Sequence, residues 1–335
     1  MTKKTKIMKN TRLYASIVNA TYSDYTDYYD KNYARGENTV QTNVQMYNIY
    51  EEIGIMMVLS VFCLLGIIGN GLVIWICIKM KKTVNVVWFL NLAVTDFSFA
   101  FILPLFHIQI ALGYWPFLTI MCKIINFSLY CNLAINVLQF TVISIDRCIC
   151  VVFPVWCHNH RRPRLAYIIV LTIRIISVVV SIPYALYADK VDIDNNTMIC
   201  LLIFKKSGLV IEGILTFILR FLLPFLIIVS CYILIFFYLR RKRISISGPI
   251  KTSVAVTIAF FICWFPVHLY NFLAVFLIST LSNDVVYYEN LTAALLMVIN
   301  CFINPIFYLF IGQDVKEKFC GSFRAKIEKA FTEGE

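Results

Sequence analysis

The chain has 335 residues, 60% of them hydrophobic and only 15% charged, and its mean hydropathy is +0.77. Soluble domains carry about a quarter of their residues as charges, so this composition excludes a soluble globular protein and points to a membrane-embedded one. The net charge of +11 resides in short connections between apolar runs rather than on one surface, which excludes nucleic acid as a partner.

Residues 1–52 are polar and lack the periodicity of a packed core, which predicts a disordered extracellular tail. Tyr22, Tyr25, Tyr28 and Tyr29 stand among Asp24, Asp27 and Asp30, the usual setting of tyrosine sulfation. Sulfated tails bind basic protein ligands; the same stretch also reads as an acidic spacer. Asn19 and Asn195 open glycosylation acceptor patterns. Asn290 matches too but adjoins the last apolar run, and the match at Asn126 falls inside the third. No apolar stretch follows the early lysines, so no cleaved signal peptide is expected and the first apolar run serves as the targeting signal.

Seven apolar runs follow, near 53–78, 86–111, 122–145, 165–187, 208–239, 253–280 and 290–311. About 20 such residues cross a hydrocarbon core of roughly 30 Å. The runs predict one bundle over 53–312 with no room for a second domain. Basic clusters at Lys79–Lys82, Arg161–Arg164 and Arg240–Arg243 and after the seventh run mark one side as cytoplasmic, leaving the N-terminus outside. Twelve cysteines form no metal spacing, and most lie within the runs as small buried hydrophobes. Only Cys122 and Cys200 fall at outer positions, where an oxidising exterior favours a disulfide.

Polar residues at membrane depth cost about 2.5–3.5 kcal/mol each on insertion scales and mark function. Asp96 lies deep in the second run; with the amides of Asn132, Asn136, Asn300 and Asn304 it suits a hydrated sodium ion, and no other cofactor is expected. Asp146 can hold Arg147 at the inner end of the third run. Trp264 precedes the proline kink at Pro266, and Pro305 and Pro224 break the seventh and fifth runs in the same way. Arg220, roughly 18 Å into the fifth run, is expected to face a cavity above Trp264 with Tyr130 and His268 as walls. The alternative is a pair with another helix residue, although Glu212 lies about 12 Å away along the same helix.

Gly69-Asn70, Asn91-Leu-Ala-Val-Thr-Asp96, Asp146-Arg147-Cys148, Cys263-Trp264-Phe-Pro266 and Asn304-Pro305-Ile-Phe-Tyr308 occur in order, one per span. Together they resemble the rhodopsin-like (class A) G-protein-coupled receptors over the whole helical region. Lys79-Met-Lys-Lys-Thr-Val-Asn85, Pro154-Val-Trp-Cys-His-Asn-His160 and Gly312-Gln-Asp314 are similar to the chemoattractant peptide receptors, chemerin-like ones first and formyl-peptide ones next.

The resemblance implies an all-α seven-transmembrane bundle in the plasma membrane and no enzymatic activity. It implies an extracellular peptide or small-protein ligand and a heterotrimeric G protein of the inhibitory class inside; the candidate ligand contacts Arg220, Tyr130, His268 and Trp264 are read from depth and charge, since the relatives place their Arg-Phe pair about one turn further out than Arg220. Arg147, Tyr232 and Tyr308 would meet in the active state. An anionic lipid ligand and a non-signalling decoy are the other readings. After Asp314, Val315, Phe319 and Phe323 alternate with lysines, which predicts an amphipathic helix within 313–335, anchored by palmitoylation of Cys320. Only Ser322 and Thr332 carry hydroxyls there, so arrestin recruitment is expected to be weak. The chain departs from its relatives at Arg174, where the family has Trp in the fourth helix. A charge there is expected to lower surface expression unless it finds a partner.

Overall fold

The computed structural model describes residues 41–112, 114–192, 198–203, 206–245, 248–277 and 283–310. Asn19, Asn195, the four tail tyrosines, Cys320 and the expected helix within 313–335 lie outside them. The described chain runs α1 (Gln41–Lys79), α2 (Val84–Leu112), α3 (Thr119–Val152), a short α4 (Pro154–His160) and α5 (Pro163–Tyr187). A hairpin of β1 (Ala188–Asp192) and β2 (Met198–Leu202) comes next. The fifth span is α6 (Lys206–Phe217), a π-turn (Ile218–Leu222) and α7 (Leu223–Lys242). The bundle closes with α8 (Gly248–Leu277) and α9 (Asn283–Phe310).

Six helices are long and apolar enough to cross a membrane, and Leu291–Ile306 of α9 is a shorter apolar segment completing a seven-helix bundle. Two departures from the expected architecture stand out. α1 begins at Gln41 rather than at 53, so the end of the expected tail is helical. The second is a small antiparallel hairpin in a connection of the all-α bundle, in which Lys190 pairs with Cys200. Its strands hold a five-residue register because the disulfide to α3 pins the centre of β2.

The bundle sets polar side chains within a large apolar core, and its outer surface is apolar as well. Asn70, Asp96, Asn136, Gln139, Ser144 and Asn304 have no exposed surface, whereas Ile168 and Leu171 on α5 and Phe237 on α7 are each about 60% exposed. An apolar exterior is what a hydrocarbon solvent selects: lipid tails are as apolar as leucine, so polar contacts and close packing decide which helices meet. Asn70 donates to the carbonyls of Gly66 (2.9 Å) and Cys301 (2.8 Å), joining α1 to α9. The approach there is close: a Cβ added to Gly69 would lie 3.0 Å from the Cβ of Pro305.

Arg174 does find partners. Its Nε donates to Oδ1 of Asn91 at 2.9 Å and its Nη2 to the Thr95 hydroxyl at 3.5 Å, while Asn91 donates to Oε1 of Gln139 at 2.8 Å. These acceptors are all neutral, so the cation is solvated but not neutralised. A tryptophan keeps an N–H for Asn91 and removes the charge. Arg174→Trp is therefore expected to raise surface expression and thermal stability, and Arg174→Leu, which strips Asn91 of its donor, to raise them less. Flow cytometry of an epitope-tagged chain and a thermal-shift measurement check the order; a loss in Arg174→Trp would show that the guanidinium is required.

Candidate functional site

Three polar layers follow one another down the bundle, all carried in part by α3. At the hairpin end, Cys122 and Cys200 are joined, with Cα atoms 5.6 Å apart, as expected from their position. Gln109 of α2 clamps the same residue through both backbone groups: Cys200 N–H donates to Oε1 at 2.9 Å, and Nε2 donates to the Cys200 carbonyl at 3.4 Å. Asn126 is buried in α3 and donates to the Cys122 carbonyl and to the Cys200 sulfur, which leaves no room for a glycan. α9 already begins at Asn283, so Asn290 lies within a helix.

Below the hairpin, Tyr130 and Tyr184 stack with ring centroids 3.5 Å apart and an interplanar angle of 11°. The Arg220 guanidinium lies 4.7 Å from the Tyr184 ring and 5.4 Å from the Tyr130 ring, a cation–π pair. Its Nη2 donates to the Val180 carbonyl at 3.0 Å, and its Nη1 is buried without a partner. Tyr184 in turn donates to Glu212 at 2.6 Å, and Glu212 also accepts from Thr216 at 2.7 Å. Glu212 thus reaches Arg220 only through the tyrosine between them.

Arg220 thus lies on Tyr130, one of its two expected walls, and close enough to His268, the other, to interact with it electrostatically. Phe221 packs on α8, with ring centroids 5.4 Å from His268 and 5.6 Å from Phe265. The backbone here forms a π-turn. Pro224 has no N–H and its ring would clash with the carbonyl four residues earlier, so the backbone widens and Leu223 N–H bonds the Ile218 carbonyl five residues back. Trp264 remains buried between Phe260 and His268, each with its centroid 6.1 Å away, and its indole N–H has no partner. An apolar crevice of about 830 Å³ between the fifth span and α8 is lined by Phe221, Phe225, Phe261 and Phe265. It opens past the exposed Ile262, toward hydrocarbon.

In the middle layer, Asp96 is wholly buried and accepts from Asn136 (3.0 Å) and Asn132 (3.4 Å) on Oδ1 and from Asn304 (2.7 Å) on Oδ2. Asp96, Asn132, Asn136 and Asn304 of the expected cluster are thus brought together from α2, α3 and α9, and Asn300 is buried one turn before Asn304. The amide oxygens of Asn136, Asn300 and Asn304 are buried without donors. A carboxylate with several unsatisfied neutral oxygens is the donor set a small hard cation takes.

At the basic end, Asp146 does not hold Arg147. It accepts two parallel bonds from Arg161, Nε to Oδ1 at 2.8 Å and Nη2 to Oδ2 at 2.9 Å, and a longer one from Trp88 at 3.4 Å. This is the one ion pair among the described residues. Arg147 instead donates to Asn85 at 2.7 Å, is 6% exposed, and keeps a buried Nε with no partner. Bidentate geometry explains the choice, because Arg161 presents the Nε–Nη2 edge of its guanidinium side-on to the carboxylate while Arg147 is adjacent in the chain and bonds Asn85. Tyr232 meets Ser144 at 3.3 Å. Pro266 and Pro305 lie inside α8 and α9 as expected; Tyr308 is on the last turn of α9, its side chain outside the described set.

Sequence reasoning missed Gln109, Arg161, Asn85 and the Glu212–Tyr184 pair. A glutamine in an apolar run was a visible signal for the first; the others depend on pairings between helices.

The profile of the family described as "7 transmembrane receptor (rhodopsin family)" matches residues 69–308. Chemerin-like receptor 1 of Sus scrofa is 37% identical, covering 94% of this chain and 91% of its own. The Homo sapiens receptor of that name is 39% identical over 83% and 80% respectively. N-formyl peptide receptor 2 of Macaca mulatta is 35% identical over 83% and 86%.

The Gln109 clamp yields a prediction. Gln109→Ala leaves the buried N–H and C=O of Cys200 unpaired, at about 1–3 kcal/mol for each buried group left bare. The thermal midpoint of the purified chain should fall by several degrees with the Cys122–Cys200 disulfide intact, as checked by thermal shift and non-reducing peptide mapping.

Proposed function

Because the chain belongs to the rhodopsin family of seven-transmembrane receptors, we propose that it is a plasma-membrane receptor for a chemoattractant peptide or small protein, coupled to a heterotrimeric G protein of the inhibitory class. The ligand enters at the hairpin end, with the N-terminus outside; the basic loops face the cytoplasm. The ligand class comes from the names of the relatives. One observation carries the switching part of the reading: Arg147 is buried at the basic end without a carboxylate, because Asp146 is taken by Arg161. A swing of the inner half of α8 about Pro266 uncovers that guanidinium for an intracellular partner. Exposing transfected cells to chemerin-type and formyl peptides while recording dissociation of the inhibitory G protein tests the whole reading; silence toward every peptide removes it.

Arg220 supports an acidic ligand. Its Nη1 has no partner, and the Tyr130–Tyr184 stack holds the guanidinium without neutralising it. A ligand carboxylate displaces the Val180 carbonyl and gains a charge-assisted bidentate contact. The pull on the π-turn then reaches Trp264 through Phe221 and His268. An active free-acid peptide should lose about tenfold or more in potency on amidation and on Arg220→Ala, and less on Arg220→Lys, which keeps charge but not the fork. Dose–response curves for both peptide forms on the three receptors decide it. Equal potency of acid and amide on the parent rejects the anchor, and activation by fatty carboxylates alone turns the ligand into an anionic lipid.

Sodium at Asp96 supplies a second lever. Asp96 and the amide oxygens of Asn136, Asn300 and Asn304, with Asn132 nearby, would hold the ion, whose charge would offset the buried carboxylate and favour the resting state by keeping α2, α3 and α9 together. Agonist affinity should fall several-fold when sodium replaces a large inert cation at constant ionic strength. The dependence should vanish in Asp96→Asn; radioligand competition reads it directly.

A further inference from the structure

The third span ends at a second pair of sulfurs. Phe153 precedes a proline, which disfavours helical backbone, and at φ −123°, ψ 65° it breaks α3. The chain turns back as α4, and Cys157 returns against Cys150 with Cα atoms 5.0 Å apart, the two sulfurs joined. Cys157 is 8% exposed, and Cys150 is half-buried. On the receptor reading this end faces the cytoplasm, where glutathione keeps most thiols reduced, so a bridge there is transient rather than structural.

What the bridge would hold is on the same short helix. Cys157 N–H bonds the Phe153 carbonyl at 3.0 Å, and the Cys157 carbonyl accepts the N–H of Arg161 at 2.9 Å. Arg161 is the residue that takes Asp146 in two parallel bonds and shares Asn85 with Arg147. From sulfur to switch the path is therefore Cys150–Cys157, one helical turn, Arg161, Asp146 and Asn85, and then Arg147.

We propose that Cys150 and Cys157 form a peroxide-responsive dithiol whose bridge clamps α4, and with it Arg161, onto Asp146, stabilising the resting state. In the chemistry, the more exposed Cys150 sulfur attacks one oxygen of hydrogen peroxide; the O–O bond breaks, one water leaves and a sulfenic acid forms. The Cys157 sulfur then displaces the sulfenic hydroxyl, which departs with the thiol proton as a second water. Two thiols lose two electrons and two protons, and one peroxide becomes two waters. Two molecules of glutathione reverse the step and leave as glutathione disulfide. The proposal rests on the receptor reading for its cytoplasmic setting and its consequence; formation of the bridge and clamping of α4 are measurable without ligand or G protein.

The experiment uses the full chain in lipid nanodiscs, as reduced by glutathione and after hydrogen peroxide, beside Cys150→Ser and Cys157→Ser. Differential alkylation with peptide mapping reads the thiols, hydrogen exchange reads residues 153–162, and nucleotide exchange on an inhibitory-class heterotrimer reads the output. Peroxide is expected to link Cys150 to Cys157, slow amide exchange over 153–162 several-fold, and lower nucleotide exchange, with neither serine variant showing the last two changes. The proposal falls if both cysteines stay separately alkylable, if Cys148 is bridged in place of either, or if amide exchange changes equally in the serine variants. Bridging with unchanged nucleotide exchange refutes the link to Arg147. Failure of the reduced receptor to drive any heterotrimer, with bridge and clamp intact, counts instead against the receptor reading.

Discussion

A carboxylate with no exposed surface at the centre of a membrane-spanning bundle has to be met by donors from other helices, and Asp96 imposes that demand here. Asn132 and Asn136 bring α3 to it, and Asn304 brings α9. The remaining spans attach to that triangle by the same logic. Asn70 ties α1 to the Cys301 carbonyl, one turn from Asn304 on α9, where Gly69 gives way to Pro305. Arg174 ties α5 to α2 through Asn91 and Thr95, and Asn91 passes the bond to Gln139 on α3. Burying leucine against leucine earns little in a solvent made of hydrocarbon, so these polar contacts, rather than an apolar core, select which helix lies beside which.

The depth of each functional residue was legible in the sequence, whereas its direction often was not. Length and hydropathy located the spans, and single polar residues within them marked the layers at Asp96, Arg147 and Trp264. The Cys122–Cys200 bridge followed from which thiols meet the outside. At Arg220 the sequence pointed to Tyr130 but not to Tyr184, because depth is counted at 1.5 Å per residue while azimuth depends on every turn being regular, and the π-turn ahead of Pro224 is not. Partner choice failed at Asp146 because its rival guanidinium arrives on α4, a helix of seven residues that exists only because Phe153-Pro154 breaks α3. The hairpin escaped for a related reason: five-residue strands tied by a disulfide leave little pattern in hydropathy.

Both arginines of the basic end carry a charge near the membrane surface, yet they are treated in opposite ways. Arg161 spends its guanidinium on Asp146, whereas Arg147 is left with one amide oxygen from Asn85 and a bare Nε. An unpaired buried donor costs about 1–3 kcal/mol, so Arg147 is held in a position it gains by leaving. The restraint is the pair beside it. With side chains only 23% and 14% exposed, the Arg161–Asp146 contact is better shielded than a surface ion pair, whose worth is about 0–1 kcal/mol.

Shielding of that degree supplies a few kcal/mol at most, and inverting a two-state population from 1:99 to 99:1 takes about 5.5 kcal/mol, about half of which already holds one state at 99:1. The cluster at Asp96 adds a second point at which α3 is held. Asn136 and Arg147 are both on α3, eleven residues or about 16 Å apart, with Ser144 reaching Tyr232 between them. A helix pinned at both points moves as a unit only when both are released. Release of α3 at the Asp96 cluster and at Arg147 is therefore coupled through one rigid element, and each lowers the work left for the other.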